Sequence, residues 1–77
     1  MNIEEFKQEF AKRLKKQAYR SGEYNQKQIA EMTGISEATI GYYFNAQRLP
    51  NADNLVRLTQ ALHCSADDLI MIDERLE

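Results

Sequence analysis

The chain has 77 residues, of which 43% are hydrophobic, and it carries a net charge of −2. This length fits one small domain with its own core, so we expect a single domain over residues 1–77. One proline, three glycines and the lack of any apolar run of about 18 residues argue against a strand-rich fold and against a transmembrane helix. The predicted fold class is therefore all-α.

The residues that could support catalysis or metal binding are few. Cys64 is the only cysteine and has no partner for a disulfide or a Cys–His cluster, which favours a reducing cytoplasm. His63 is the only histidine, and no glycine-rich phosphate loop is present. Asp67, Asp68 and Asp73 lack the glycine and spacing of a calcium loop. We expect neither an enzyme, nor a cofactor, nor a metal site.

The charges are unevenly distributed along the chain. Residues 1–50 carry eight basic and six acidic side chains, for a net charge of +2. Residues 51–77 carry two basic and six acidic side chains, for a net charge of −4. Within residues 12–27 there are six basic side chains and one acidic one. This basic segment fits either a phosphate-contacting face or a solvated helix surface.

The first predicted helix covers residues 2–20. Its apolar residues recur at steps of three and four, which is the pattern of a helix with one buried stripe. Gly22 is expected to stop this helix. The stripe consists of Ile3, Phe6, Phe10, Leu14 and Ala18.

Four further helix starts follow, each with the same signal. A cap residue is preceded by an apolar residue and followed by another one four positions later, as in a hydrophobic staple. The cap residues are Asn25, Ser36, Asn51 and Ser65. The first and last also have a capping-box partner, Gln28 and Asp68. These signals predict helices over residues 26–33, 37–45, 52–62 and 66–72.

Residues 26–48 contain two short helices around a T-G-I-S turn, which Gly34 is expected to close in a left-handed conformation. Apolar residues on both sides of the turn are expected to face one another: Ile29, Ala30, Met32, Ile35, Ile40, Tyr43 and Phe44. The second helix keeps a different face formed by Glu37, Ala38, Thr39 and Tyr42. An exposed helix held rigidly against its neighbour in this way fits a DNA major groove.

These motifs resemble the lambda-repressor/Cro (Xre-type) helix-turn-helix family over about residues 10–71. The resemblance depends on N-Q-K-Q-I-A, on G-I-S and on L-P-N-A-D-N-L, all in register. It implies a five-helix domain that binds double-stranded DNA, usually as a homodimer on a palindromic operator. It also implies transcriptional regulation, most often repression, in a phage or a mobile element.

The resemblance also implies roles for individual residues. Gln26, at the start of the second helix, is expected to contact phosphate. Lys27 opens the same helix beside it, where a contact with backbone phosphate is also expected. Ser36 caps the third helix, where Glu37, Ala38 and Tyr42 are expected to face bases. Three further expected contacts are near the backbone or the groove edge: Thr39, Asn45 and Arg48.

Several positions depart from the family pattern. Glu37 stands where many relatives have glutamine, and its carboxylate is repelled by phosphates. Ala46 stands where glycine is common, and a left-handed backbone there costs about 1 kcal/mol. His63 and Cys64 replace a common Gly-Val pair. We expect His63 at the surface and Cys64 as a small buried apolar residue.

Two alternatives remain open from the sequence. The apolar residues 69–72 are either plain core or part of a dimer contact. The acidic half of the chain, residues 51–77, also fits a protein-interaction module, such as an antitoxin-like or adaptor domain that binds a protein partner. Both alternatives are compatible with DNA binding.

Overall fold

The computed structural model describes residues 2–70, which form five α-helices and no β-strand. The predicted all-α, five-helix fold is confirmed for this part of the chain. The second and fourth helices have the predicted bounds, and the third ends one residue earlier than predicted. The helices are α1 (Ile3–Gly22), α2 (Gln26–Thr33), α3 (Glu37–Phe44), α4 (Ala52–Leu62) and α5 (Ala66–Leu69).

The shortest helix, α5, was predicted to reach residue 72, but it ends at Leu69. Ile70 has an extended backbone, with φ −126° and ψ 111°, although its N–H still donates to the Ala66 carbonyl oxygen at 2.7 Å. Leu69 is fully buried and Ile70 is half-buried against the core, as predicted. Met71, Ile72 and Asp73 lie outside the described residues, and the suggested dimer contact at residues 69–72 stays a prediction.

All four predicted N-caps are present. In each, the cap side chain accepts a hydrogen bond from the backbone N–H three residues later. The capping box of α2 is complete: Gln28 N–H donates to Asn25 Oδ1 at 2.8 Å, and Asn25 N–H donates to Gln28 Oε1 at 2.9 Å. Asn2 caps α1 in the same way. Because a cap satisfies N–H groups that the helix itself leaves free, it fixes the residue at which each helix begins.

The capping box of α5 makes stability depend on pH. Ser65 N–H donates to Asp68 Oδ2 at 2.9 Å, and this bond lowers the pKa of Asp68 below its usual 3.8. Since the folded pKa is the lower one, the ionised carboxylate stabilises the fold above pH 3.8, and this contribution is lost as the pH falls through the folded pKa. We therefore expect Asp68→Asn to be less stable than the wild type at neutral pH in urea unfolding.

That difference should shrink toward zero in strong acid, where the wild-type carboxyl is also neutral. Asp67→Asn is the matched control, because Asp67 is a neighbouring exposed carboxylate outside the capping box. A stability difference for Asp68→Asn that stays constant from neutral pH into strong acid would contradict the expected linkage.

The core joins all five helices. The α1 stripe is buried from Phe10 onward, and the Phe10 ring meets the Tyr43 ring of α3 edge to face at a centroid distance of 5.8 Å. The buried Tyr43 hydroxyl accepts a hydrogen bond from Asn54 Nδ2 of α4 at 2.9 Å. The core residues are Phe10, Leu14, Ala18, Ile29, Ile35, Ile40, Tyr43, Leu58, Leu62 and Leu69.

Two residues expected in the apolar contacts are exposed instead. Ile3 is 58% exposed because it lies in the first turn of α1, before the residues that meet the other helices. Met32 is 41% exposed, and the adjacent buried position of α2 belongs to Thr33. Thr33 can be buried because its hydroxyl donates to the Ile29 carbonyl oxygen at 2.7 Å and accepts from Ile35 N–H at 3.2 Å.

Three non-glycine residues adopt the left-handed conformation that ends a helix: Glu23, Ala46 and His63, with φ of 55°, 60° and 53°. The first helix, predicted over residues 2–20, ends at Gly22; Gly22 is itself helical, and Glu23 is the left-handed cap. A Cβ at Gly22 would lie 2.6 Å from a ring carbon of Tyr24, so a side chain there would require the Tyr24 ring to shift.

The end of α3 has the hydrogen bonds of a Schellman motif. Gln47 N–H donates to the Tyr42 carbonyl oxygen at 2.8 Å, and Ala46 N–H donates to the Tyr43 carbonyl oxygen at 3.3 Å. Ala46 occupies the left-handed position of this motif, where glycine has no steric penalty. We therefore expect Ala46→Gly to raise the free energy of unfolding by about 0.5–1 kcal/mol, measured in urea.

The same change at Ala52 is the control. Ala52 lies in the first turn of α4 with a helical backbone, so Ala52→Gly should lower stability or leave it unchanged. If Ala46→Gly were as destabilising as Ala52→Gly, the left-handed strain assigned to Ala46 would be wrong.

Candidate nucleic-acid interface

The connection between α2 and α3 is short and internally bonded. Gly34 is left-handed, with φ 76°, and its N–H donates to the Ala30 carbonyl oxygen at 2.9 Å. Ile35 is buried in the core, and its N–H is held by the Thr33 hydroxyl. Because the turn is anchored at Thr33, Gly34 and Ile35, α3 is held at one angle to α2.

One side of α3 is buried and the other is open. Ile40 and Tyr43 are buried, while Glu37, Ala38 and Tyr42 are exposed. The exposed side therefore combines a carboxylate, a methyl group and a phenol on a helix whose position is set by its buried side. These groups differ in hydrogen bonding and shape, as a surface that discriminates base edges requires.

The two hydroxyl groups at the start of α3 are bonded to each other. Ser36 Oγ accepts the Thr39 N–H at 3.1 Å and donates to Thr39 Oγ1 at 2.8 Å. Ser36 is therefore occupied by capping. The Thr39 hydroxyl accepts this bond, and its own proton remains available to an external acceptor such as a phosphate oxygen.

Gln26 connects the start of α2 to the middle of α3. It is the first residue of α2 and half-buried, and its Oε1 lies close enough to Gly41 that a Cβ there would be 3.3 Å away. The absence of a side chain at Gly41 thus lets the Gln26 amide lie against α3. Lys27, the next residue, is exposed in the same helical turn.

Beyond α3 the chain turns back over the helix. Asn45 is the exposed C-cap residue, and Arg48 is exposed two positions after the left-handed Ala46. The Arg48 guanidinium carbon lies 4.2 Å from the centroid of the Tyr42 ring. Two predicted site residues that are six positions apart are therefore in direct contact.

The basic segment of α1 divides between two surfaces. Lys12 and Lys15 line a shallow groove with Asn45 and Ala46, at the end of α3. A second groove along α1 is lined by Lys12, Lys16 and Arg20 together with acidic side chains, one of which is Asp68 of α5. Lys12 and Lys15 therefore bring positive charge close to the predicted site, and Lys12 also borders the mixed-charge groove that contains Lys16 and Arg20.

A helix-turn-helix family model matches residues 15–69, from the middle of α1 to the end of α5. The chain belongs to the lambda-repressor/Cro (Xre-type) helix-turn-helix family. Comparison with curated proteins and with solved structures gave no match. Family membership supports a DNA-binding helix-turn-helix regulator, in which α2 and α3 are the helix-turn-helix.

All nine residues predicted to contact DNA lie on the helix-turn-helix unit or on the turn that follows it. The structure brings together three groups: Ser36 with Thr39, Tyr42 with Arg48, and Gln26 with Gly41 of α3. Within the described chain, no side-chain hydrogen bond, ion pair or ring contact joins the other four residues, Lys27, Glu37, Ala38 and Asn45, to another of the nine. The DNA contacts themselves stay predictions.

Sequence reasoning did not single out Lys12 and Lys15 from the other basic residues of α1. Their spacing of three places them on one side of the helix, but it does not show which partner that side faces. Their proximity to Asn45 follows from the packing of α1 against α3. Only the folded arrangement distinguishes these two lysines from Lys16 and Arg20.

The residues considered for metal or redox chemistry have structural roles in the helix-turn-helix domain. His63 is the exposed, left-handed cap of α4, and Cys64 is half-buried against the core. Burial, and to a smaller extent the charge of Asp68, raises the pKa of the Cys64 thiol. Within residues 2–70 no cluster of His, Cys, Asp and Glu could hold a metal ion. No helix in this part of the chain is long and apolar enough to span a membrane.

Proposed function

We propose that residues 1–77 form a single domain that binds double-stranded DNA sequence-specifically, with α3 in the major groove, and that it acts as a transcriptional repressor. The observation that carries the proposal is the combination of a rigidly held α3 with an exposed polar side. On that side Glu37 accepts a hydrogen bond from cytosine N4, and the Ala38 methyl contacts a thymine methyl. Repression follows from occupancy of the operator, which denies the site to other proteins.

Phosphate contacts on both sides of the recognition helix fix its position in this proposal. Gln26 and Lys27 lie in the first turn of α2, where free backbone N–H groups and the helix dipole favour a phosphate. Asn45 and Arg48 contact the backbone at the opposite end of α3. Lys12 and Lys15, which share a groove with Asn45, extend the positive surface on that side.

The net charge of −2 is compatible with this function because the charges are segregated. Affinity for DNA depends on the cations near the phosphates, and acidic groups on a distant face are screened over about 8 Å at physiological salt. The α4 and α5 part of the described chain carries the exposed carboxylates of Asp53, Asp67 and Asp68. We propose that this acidic part points away from DNA.

The family resemblance adds a homodimer on a palindromic operator, in a phage or mobile-element regulator. Selection from a random pool of duplex DNA at about 150 mM salt, with sequencing of the bound fraction, tests the whole proposal. An enriched palindrome with half-site centres about one helical turn apart is the expected result. A single enriched half-site would remove the dimer, and no enriched sequence would overturn the proposed function.

A protein-interaction module is the second candidate. The observation that favours it is the surface of α4, where Val56 is 52% exposed near the acidic residues of the C-terminal half. An antitoxin-like or adaptor domain would use this surface for a protein partner. A pull-down from the source cells, repeated with Val56→Asp, tests it: no stable partner, or a partner retained by the variant, would count against it.

A further inference from the structure

Tyr42 and Arg48, two of the residues predicted to contact DNA, stack on each other. Both side chains are exposed, and the guanidinium carbon lies 4.2 Å from the ring centroid. The two ion pairs of residues 2–70 join Lys7 to Glu4 and Arg13 to Glu9, so neither uses Arg48. Within the described residues, the aromatic ring is therefore the group that orients this guanidinium.

The backbone explains why these two residues meet. The left-handed Ala46 reverses the chain after α3, and the N–H of Gln47 donates to the carbonyl oxygen of Tyr42 itself at 2.8 Å. The residue before Arg48 is thus bonded to the backbone of Tyr42. This short connection carries the Arg48 side chain back across the ring of Tyr42.

Stacking on a ring leaves the guanidinium edge free. The five N–H donors of arginine lie in the plane of the group, so a face-on contact with an aromatic ring does not use them. The ring limits the conformations of a long side chain that would otherwise lose rotamer freedom when it binds a phosphate. A stack of this kind therefore prepares the edge donors for a bidentate contact with phosphate oxygens.

We propose that Tyr42 is a positioning residue, whose ring holds the Arg48 guanidinium for a DNA phosphate at the edge of the major groove. This inference rests on the proposed function and narrows the role of Tyr42 within it. The aromatic face is the required part of the side chain, and the phenolic hydroxyl does not read a base. The partner of Arg48 is a phosphate of the bound duplex.

A double-mutant cycle on the enriched duplex tests the coupling. Tyr42→Leu removes the ring and should weaken binding about fivefold, as expected for loss of an exposed cation–π contact. Arg48→Met should weaken binding about tenfold and reduce the salt slope by about one unit. The double variant should bind about as well as Arg48→Met alone, because the ring acts only through the arginine.

Two further variants, and the DNA sequence preferred by Tyr42→Leu, distinguish positioning from other roles. Tyr42→Phe keeps the ring and should bind within about twofold of the wild type. Tyr42→Leu should enrich the same DNA sequence as the wild type. Arg20→Met, which removes an exposed arginine from the mixed-charge groove beside Asp68, controls for the loss of one positive charge and should leave the affinity nearly unchanged. Because both stacked side chains are exposed, thermal unfolding should confirm that all variants fold.

A measurement without DNA addresses the stack directly. In the free protein, Tyr42→Leu should move the Arg48 side-chain Nε–H resonance downfield, because the shielding ring current is lost, whereas Tyr42→Phe should leave the resonance in place. Equal losses of affinity for Tyr42→Phe and Tyr42→Leu, or additive losses in the double variant, would overturn the positioning role alone. Failure of the wild type to prefer any duplex would overturn the proposed function as well.

Discussion

Replacing Phe10 with alanine is expected to lower the free energy of unfolding by about 3–5 kcal/mol. Phe10 is 1% exposed, and its ring meets Tyr43 edge to face, so the change removes both buried area and an aromatic pair. The cavity would lie between α1 and α3. Since a domain of this size has a free energy of unfolding of only about 5–10 kcal/mol, much of its stability should be lost.

Urea unfolding followed by circular dichroism measures the loss. Tyr19→Ala is the matched control, because Tyr19 is an aromatic residue of the same helix that is 67% exposed, and its loss should change stability by less than about 0.5 kcal/mol. Similar effects of the two variants would show that α1 does not pack on α3 through Phe10.

Replacing Ala38 with aspartate is expected to weaken binding to the enriched duplex about 100-fold without destabilising the fold. Ala38 is the second residue of α3 and is exposed, so an acidic side chain there faces solvent and suits the positive end of the helix dipole. In a major groove the same carboxylate would replace an apolar contact and approach phosphates. The carboxylate would then lose its water and be repelled by the phosphates, with no cationic partner to compensate for either cost.

Titration of a labelled duplex gives the affinity, and thermal unfolding gives the stability. Ala66→Asp is the matched control, since Ala66 is an exposed alanine in the first turn of α5. It introduces the same charge on the face proposed to point away from DNA, and it should change affinity less than about threefold. Equal affinities of the two variants would place the DNA-binding surface elsewhere on the domain.

The helix starts could be predicted from the sequence because they depend on neighbouring residues. A cap such as Asn25 and its partner Gln28 are three residues apart, and their hydrogen bonds need no other part of the fold. The same holds for Ser65 with Asp68. The left-handed Gly34 was also predicted correctly, since glycine is the residue that adopts this conformation without strain.

Features that depend on packing were predicted less well. The left-handed conformations of Glu23 and His63 carry no local sequence signal, because the surrounding fold imposes them against their intrinsic preference. Met32 was expected inside on the basis of hydrophobicity, whereas Thr33 is buried because its hydroxyl bonds are satisfied within α2 and the turn. Hydrophobicity alone does not predict that the threonine is buried and the methionine exposed.

In the candidate site, too, some features could be predicted from neighbouring residues and others depend on packing. The exposure of Glu37, Ala38 and Tyr42 followed from helical periodicity, since Ile40 and Tyr43 define the buried side. The stack of Arg48 on Tyr42 depends on the turn at the end of α3. The nearness of Lys12 and Lys15 to Asn45 depends on how α1 packs, and sequence spacing cannot supply either fact.

The central claim is that the exposed side of α3 determines which DNA sequence is bound. Parallel selections from random duplex DNA with the wild type and with Glu37→Gln test it most directly. A carboxylate accepts from cytosine N4, whereas a glutamine amide pairs with adenine N6 and N7, so one base pair in each half-site should change while the rest of the enriched sequence stays the same. An identical enriched sequence for both proteins would contradict base reading by α3 at this position.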